Sequence, residues 1–215
     1  LLIGIFLAPG VIIAIPGGAI AAKLGDKRVV TGALIMMLGG GVITVLSSDW
    51  NMLVLGRGIA GTGGVLLNVV TTKMLVDWFA GREIATAMAI FVNSWPIGIA
   101  LALLILPPTA TVNGPSFAWW IVVGMIAASL AFFAALYRAP PDVKETSASV
   151  KVAKLPVYPL ILAGLIWAFY NSALAMVFSF GPSLFFQKGW ETADAAGIIS
   201  AFMIAFSIAV PFGGV

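Results

Sequence analysis

The chain has 215 residues, of which 61% are hydrophobic and only 9% are charged, and its mean hydropathy is +1.13. A soluble domain usually carries about 25% charged residues, so we expect lipid to surround much of this chain. The net charge is only +3 and no segment concentrates basic residues, so we expect no nucleic-acid partner. Cysteine and histidine are absent, so we expect no disulfide bond, no metal site and no cofactor.

Seven apolar stretches are each long enough for a helix that crosses a bilayer about 30 Å thick. They lie at about 1–22, 29–48, 50–74, 84–106, 116–138, 157–180 and 195–215. Strands of a membrane barrel would be shorter and would alternate in polarity. We therefore predict an all-α, polytopic membrane helix bundle. No basic segment precedes the first stretch, which favours a membrane helix over a signal peptide. Both chain ends lie inside apolar runs, so we expect a fragment.

Basic residues concentrate in alternate connections between these stretches. The first, third and fifth connections and the span end beside them hold Lys23, Lys27, Arg28, Lys73, Arg82, Arg138, Lys144, Lys151 and Lys154. The remaining connections hold only Lys188. Positive charge marks the cytoplasmic side of a membrane protein. We therefore predict an integral, multi-pass protein of the bacterial cytoplasmic (inner) membrane, with these three connections in the cytoplasm.

The longest polar stretch, 139–155, begins with Ala139-Pro140-Pro141, and proline cannot continue a helix. We interpret it as a cytoplasmic linker between two bundles. The predicted domains are therefore an N-terminal helix bundle at 1–138, the linker at 139–155, and the start of a C-terminal bundle at 156–215.

The turn after the first span resembles the signature loop of the major facilitator superfamily, Gly-x-Leu-Ala-Asp-Arg-x-Gly-Arg-Arg. Matching places are occupied by Gly18, Ile20, Ala21, Lys23, Gly25 and Lys27. Ala22 stands at the place of the aspartate, and Asp26 follows four residues later. In the family this aspartate helps to latch the outward-open state, and Asp26, about one helical turn later, is the candidate for a relocated latch. The resulting gating candidates are Gly18, Lys23, Gly25, Asp26, Lys27, Arg28 and Gly61.

Arg57, Gly61 and Gly63 match the Arg-x-x-x-Gly-x-Gly pattern of the fourth helix in the same family. Arg57 is the only basic residue well inside a span, where charge is costly, so we expect it to face protein or a water-filled cavity. Helical spacing places Asn68 on the same face. The alternative is that Arg57 is structural and never meets a ligand.

A short pattern, Pro16-x-Gly18-x-Ile20, recurs as Pro211-x-Gly213-x-Val215. The resemblance implies two pseudo-repeated six-helix halves, of which this chain would supply helices two to eight. Transporters of this kind bind solute near the membrane midplane. The substrate-binding candidates are Arg57, Asn68, Asn93, Trp95, Trp167, Tyr170 and Asn171. The alternative for the amides is that they hold helices together.

The resemblance implies a secondary transporter that works by alternating access, with a small-molecule solute and the lipid bilayer as partners. Arg57 without a carboxylate in any span favours a small anion, as in the cyanate or organic-anion members. A drug or metabolite exporter and a non-transporting sensor remain alternatives. No catalytic cluster is present, so we expect no enzyme. No acid lies inside a predicted span, which leaves the coupling ion unknown.

Cysteine labelling tests the predicted orientation, because the chain has no cysteine of its own. A membrane-impermeant maleimide should label Thr146→Cys only from the cytoplasmic side and Asn113→Cys only from the outside. Both variants should react after the membrane is permeabilised. The opposite sidedness would contradict the orientation.

Overall fold

The computed structural model describes residues 2–79, 81, 83–138 and 156–209. Within these ranges every regular element is an α-helix, which confirms the predicted fold class. The helices are α1 (Leu2–Leu7), α2 (Pro9–Leu24), α3 (Asp26–Leu46), α4 (Trp50–Phe79), α5 (Ile84–Asn113), α6 (Pro115–Leu136), α7 (Val157–Gln187) and α8 (Thr192–Ala209). In the described part of the chain, seven helical stretches are long and apolar enough to cross a membrane, as predicted, with α1 and α2 forming one of them.

Several helix boundaries differ from the prediction: α4 ends at Phe79 instead of 74, α7 ends at Gln187 instead of 180, and α8 begins at Thr192 instead of 195. Two further differences involve proline. The first span divides into α1 and α2 at Ala8, because Pro9 has no backbone N–H to donate to the preceding turn. The predicted span at 84–106 continues as α5 through Pro107 and Pro108 to Asn113. Helix is retained there because lipid offers no other partner for the backbone polar groups of a broken segment.

The chain divides into two compact units. The first contains Leu1–Met88 and Asn113–Thr146, and the second contains Ala89–Val112 and Ser147–Val215. Most of α5 is therefore grouped with α7 and α8. The predicted linker at 139–155 and the second copy of the proline-glycine pattern lie outside the described residues. The predicted domain boundary stays a prediction.

In the first unit, α3 and α4 pack almost backbone to backbone. A methyl group added at Gly40 would meet the Gly56 carbonyl oxygen and would lie 2.6 Å from the Ala60 backbone nitrogen. One added at Gly63 would meet the Ala33 carbonyl oxygen. Small residues permit this approach, which is the usual way helices pack in membranes.

A buried apolar cluster continues from this contact toward the α2–α3 turn. It consists of Ala21, Val29, Val30, Leu34, Val70 and Met74. Side chains of α6, including Phe133, pack against it. The cluster therefore fixes the ends of α2, α3, α4 and α6 against each other beside the turn that contains the family motif.

The second unit has its own core, which joins α5, α7 and α8. Ala100, Leu174, Ile199 and Met203 are buried together there. The Ser200 hydroxyl donates to the Ala100 carbonyl oxygen over 2.8 Å, which adds a polar link between α8 and α5. Gly181 allows α7 to approach Ile199 of α8 closely.

Neighbouring glycines provide a test of the α3–α4 contact. Gly40→Ala should destabilise the folded protein by about 1–3 kcal/mol, because the added methyl group overlaps α4. Gly39→Ala is the matched control, since nothing lies within 4 Å of its added methyl group. Thermal unfolding in detergent should separate the two variants. Equal stability would contradict the backbone contact.

Candidate functional site

The predicted gating turn is a sharp, glycine-dependent corner between α2 and α3. Gly25 has φ +83° and ψ 142°, a conformation that side chains with a Cβ rarely adopt. Its N–H donates to the Ala21 carbonyl oxygen over 2.9 Å, and Asp26 begins α3. Lys23, Lys27 and Arg28 are exposed around the corner. The basic side chains of the turn are therefore exposed, whereas the Asp26 side chain is partly buried.

Asp26 pairs with a lysine of α4. The Lys73 ammonium lies 2.9 Å from Asp26 Oδ2 and 3.2 Å from Oδ1, and 2.7 Å from Asp77 Oδ2. The Asp26 side chain is only 18% exposed, whereas that of Lys73 is 39% exposed. We call these three residues the charge cluster. The Asp26 contact joins two helices, whereas the Asp77 contact lies within one helix.

A third helix meets the same corner at Tyr137, which directly follows α6. The Lys27 ammonium donates to the Tyr137 carbonyl oxygen over 3.3 Å. Burial raises the pKa of the Tyr137 phenol, and the negative charge of Asp26 raises it further. The phenol therefore remains neutral at physiological pH. The turn is thus connected to α4 through Asp26 and to the end of α6 through Lys27.

The charges at this corner are arranged differently from those in the family motif. The motif has its aspartate at the position of Ala22, which is exposed here, and an arginine at the position of Asp26. The loop thus supplies an anion where the motif supplies a cation. Lys73 of α4 supplies the opposite charge.

Arg57 lies close to two aromatic rings. Its guanidinium carbon is 4.9 Å from the centre of the Phe6 ring and 5.3 Å from the centre of the Trp119 ring. Such cation–π contacts stabilise a charge that lipid would not solvate. The Arg57 Nε atom is buried and has no hydrogen-bond partner. The Arg57 side chain therefore faces protein, and its Nε–H group is a donor without a partner.

The glycines after Arg57 make room for α1. A methyl group at Gly61 would meet the Phe6 carbonyl oxygen, and one at Gly64 would lie 3.1 Å from the Phe6 ring. These contacts give Gly61 a packing role beside its predicted gating role. Gly18 is different, since nothing lies within 4 Å of its added methyl group. Asn68, predicted to share the face of Arg57, is exposed.

The remaining predicted solute contacts belong to the second unit. The Asn93 amide nitrogen donates to the Ser207 carbonyl oxygen over 3.1 Å, and its Oδ1 atom is buried without a hydrogen-bond partner. Trp95 meets the Phe178 ring edge to face, with ring centres 5.7 Å apart. Asn93 therefore links α5 to α8 and also retains one free acceptor.

An aromatic row on α7 and α8 contains two further candidates. The ring centres of Trp167 and Tyr170 are 5.9 Å apart, and those of Tyr170 and Phe206 are 6.5 Å apart. The Asn171 amide donates to the Trp167 carbonyl oxygen over 2.8 Å, one turn earlier in the same helix. Trp167 and Tyr170 are exposed, so their rings form a surface rather than a core.

The structure adds residues that the sequence prediction missed. Lys73 and Asp77 are spaced as i and i+4, a signal that could have identified them as a helical ion pair. Phe6 and Trp119 could not have been assigned to Arg57, because α1 and α6 meet it only through the tertiary fold. Among the described residues, no group of His, Cys, Asp or Glu side chains is arranged to hold a metal ion.

Residues 1–215 match the sequence profile of the Major Facilitator Superfamily. The chain is also similar to a protein of Escherichia coli (strain K12) named "Inner membrane transport protein YajR", with 28% identity over 120 residues. That similarity covers 56% of this chain and 26% of the relative, so the chain aligns with about a quarter of the relative's length.

Proposed function

Because the chain belongs to the Major Facilitator Superfamily, we propose that it acts in secondary transport, moving a small solute across a membrane by alternating access. The family match over the whole of residues 1–215 carries this proposal. The Escherichia coli relative is named as an inner membrane protein, which supports the bacterial inner membrane as the location of this one.

The solute that the geometry supports best is a small anion, and Arg57 is its proposed ligand. The guanidinium group lies over the rings of Phe6 and Trp119. We expect an anion to bind at the guanidinium edge, where a planar fork of donors can bind two oxygens at once. The buried, unpartnered Nε atom belongs to that edge. Within the described part of the chain, no carboxylate forms an ion pair with Arg57.

Asn93, Trp95, Trp167, Tyr170 and Asn171 are proposed to line another part of the solute path, with Asn68 as a further contact. The free Oδ1 acceptor of Asn93 and the exposed rings of Trp167 and Tyr170 support this proposal. The same aromatic surface supports the second candidate function, export of an apolar drug or metabolite. Solute competition in flux assays separates the two candidates.

The charge cluster is the proposed cytoplasmic gate. Asp26 connects the family-motif turn to α4, so any movement of this turn away from α4 breaks the Asp26–Lys73 contact. A partly exposed ion pair contributes up to about 1 kcal/mol, which changes a two-state equilibrium by up to about fivefold. That magnitude suits a contact that must open and close in each transport cycle.

Purified protein reconstituted into vesicles tests the general proposal. Uptake or release of labelled small anions should exceed that of empty vesicles and should saturate with solute concentration. Binding without flux would favour a sensor with this fold and would contradict the transport proposal.

Substitutions of Arg57 test the anion site. Arg57→Lys should weaken anion binding moderately, because it keeps the charge and loses the planar fork. Arg57→Gln should weaken it more, by about 2 kcal/mol. Arg138→Gln is the control, since it removes an exposed positive charge outside the helices. Solute affinity and folded yield are measured together. Unchanged affinity with a lower yield of Arg57→Gln would assign Arg57 a structural role.

Asp26 and Asp77 both pair with Lys73, so substitution of each provides a matched test of the proposed gate. Asp26→Asn should lower the transport rate by up to about fivefold, because it breaks the ion pair that links α3 to α4. Asp77→Asn removes an equivalent partner of Lys73 within α4 and should change the rate little.

The double variant Asp26→Lys with Lys73→Asp should restore the rate lost in Asp26→Asn, because it exchanges the two charges across the same contact. A wild-type transport rate in the Asp26→Asn variant would contradict the proposed gating role of Asp26.

A further inference from the structure

A cavity of about 520 Å³ lies in the second unit, at the end where α7 turns into α8. Its α8 wall includes Ala193, Gly197 and Ala201, which are small residues spaced by four on one helix face. Leu104 and Pro108 form the facing wall on α5. Nothing lies within 4 Å of a methyl group added at Gly197, so the space in front of this residue is open.

The rim carries one carboxylate. Asp194 borders the cavity and is exposed, and among the described residues no lysine or arginine forms an ion pair with it. Its position in the first turn of α8 suits a negative charge, because the helix dipole is positive there. The cavity therefore combines apolar walls with a single carboxylate that pairs with no lysine or arginine of the described residues.

An aromatic ring is held at the same rim by the local backbone. Gly189 has φ +92°. The backbone N–H of Trp190 donates to the Phe185 carbonyl oxygen over 3.2 Å and so caps the C-terminus of α7. The Trp190 ring meets the Phe185 ring edge to face, with centres 5.9 Å apart. Trp190 lines the cavity and so offers an indole surface of the kind that attracts cations.

The α5 wall is apolar. Leu104 and Pro108 both line the cavity there. The Asp194 carboxylate and the Trp190 indole ring are therefore the lining groups that attract positive charge.

We propose that this cavity binds a small organic cation, an ammonium group with an apolar or aromatic substituent. Asp194 attracts the ammonium group, Trp190 contacts it through the ring, and the small residues of α8 accommodate the apolar part. The site is independent of the proposed transport path through Arg57. By the predicted orientation it opens to the outside of the cell.

Benzyltrimethylammonium is the probe, titrated by calorimetry into the purified chain in detergent. We expect saturable binding with one site. Asp194→Asn should weaken it by about twofold to fivefold, because it removes the charge partner in an exposed pair. Trp190→Leu should weaken it by about twofold to fivefold. Gly197→Val should abolish it, because the added side chain fills open space in the cavity.

Two controls keep the test specific. Glu191→Gln removes an exposed acid close in sequence that does not line the cavity, and Gly164→Val adds the same bulk at an exposed glycine of α7 with open space around it. Both should bind the probe as wild type does. Asp194→Glu should retain binding, and circular dichroism should show that every variant is folded.

Three results would overturn the proposal. They are no saturable binding to the wild-type chain, equal weakening by Glu191→Gln and Asp194→Asn, or equally tight binding of the uncharged analogue benzyl alcohol.

Discussion

The close contact between the backbones of α3 and α4 sets the register on which the candidate sites of the first unit depend. Gly40 lies against Ala60, and the helices run antiparallel. Asp26 lies fourteen residues before Gly40 in α3, and Lys73 lies thirteen residues after Ala60 in α4. In antiparallel helices these two positions lie opposite each other, and the two side chains pair. The same contact holds Arg57 one turn from Ala60. A side chain at Gly40 would therefore disturb both ends of α4.

Two basic residues of α4 contact protein groups in different ways. Arg57 lies close to the rings of Phe6 and Trp119, and its Nε atom has no hydrogen-bond partner. Lys73, near the end of α4, has two carboxylates around it. The first arrangement leaves an unmet hydrogen bond that an anion could satisfy, whereas the second is complete within the protein. This difference is the physical reason for proposing Arg57 as a solute ligand and the charge cluster as a gate.

The second unit uses polar contacts to set the register of α5 and α8. The Asn93 amide donates a hydrogen bond to the Ser207 carbonyl oxygen. Seven residues later in α5, the Ala100 carbonyl oxygen accepts a hydrogen bond from Ser200, which lies seven residues before Ser207 in α8. Continuing in this direction brings Pro108 opposite the beginning of α8. The facing residues of α8 there are small, so the two helices leave an open cavity between them.

The sequence alone determined the helical membrane class, because runs of apolar residues about 20 long have few other stable forms in lipid. It also located the motif turn, the embedded Arg57 and the seven spans, since each of these is a local pattern of residue type and spacing. Only the tertiary structure decided that Asp26 pairs with Lys73 and that Phe6 and Trp119 lie against Arg57. These partners lie far apart in the chain, and which faces of two apolar helices meet depends on close packing, which no local pattern of hydrophobicity specifies.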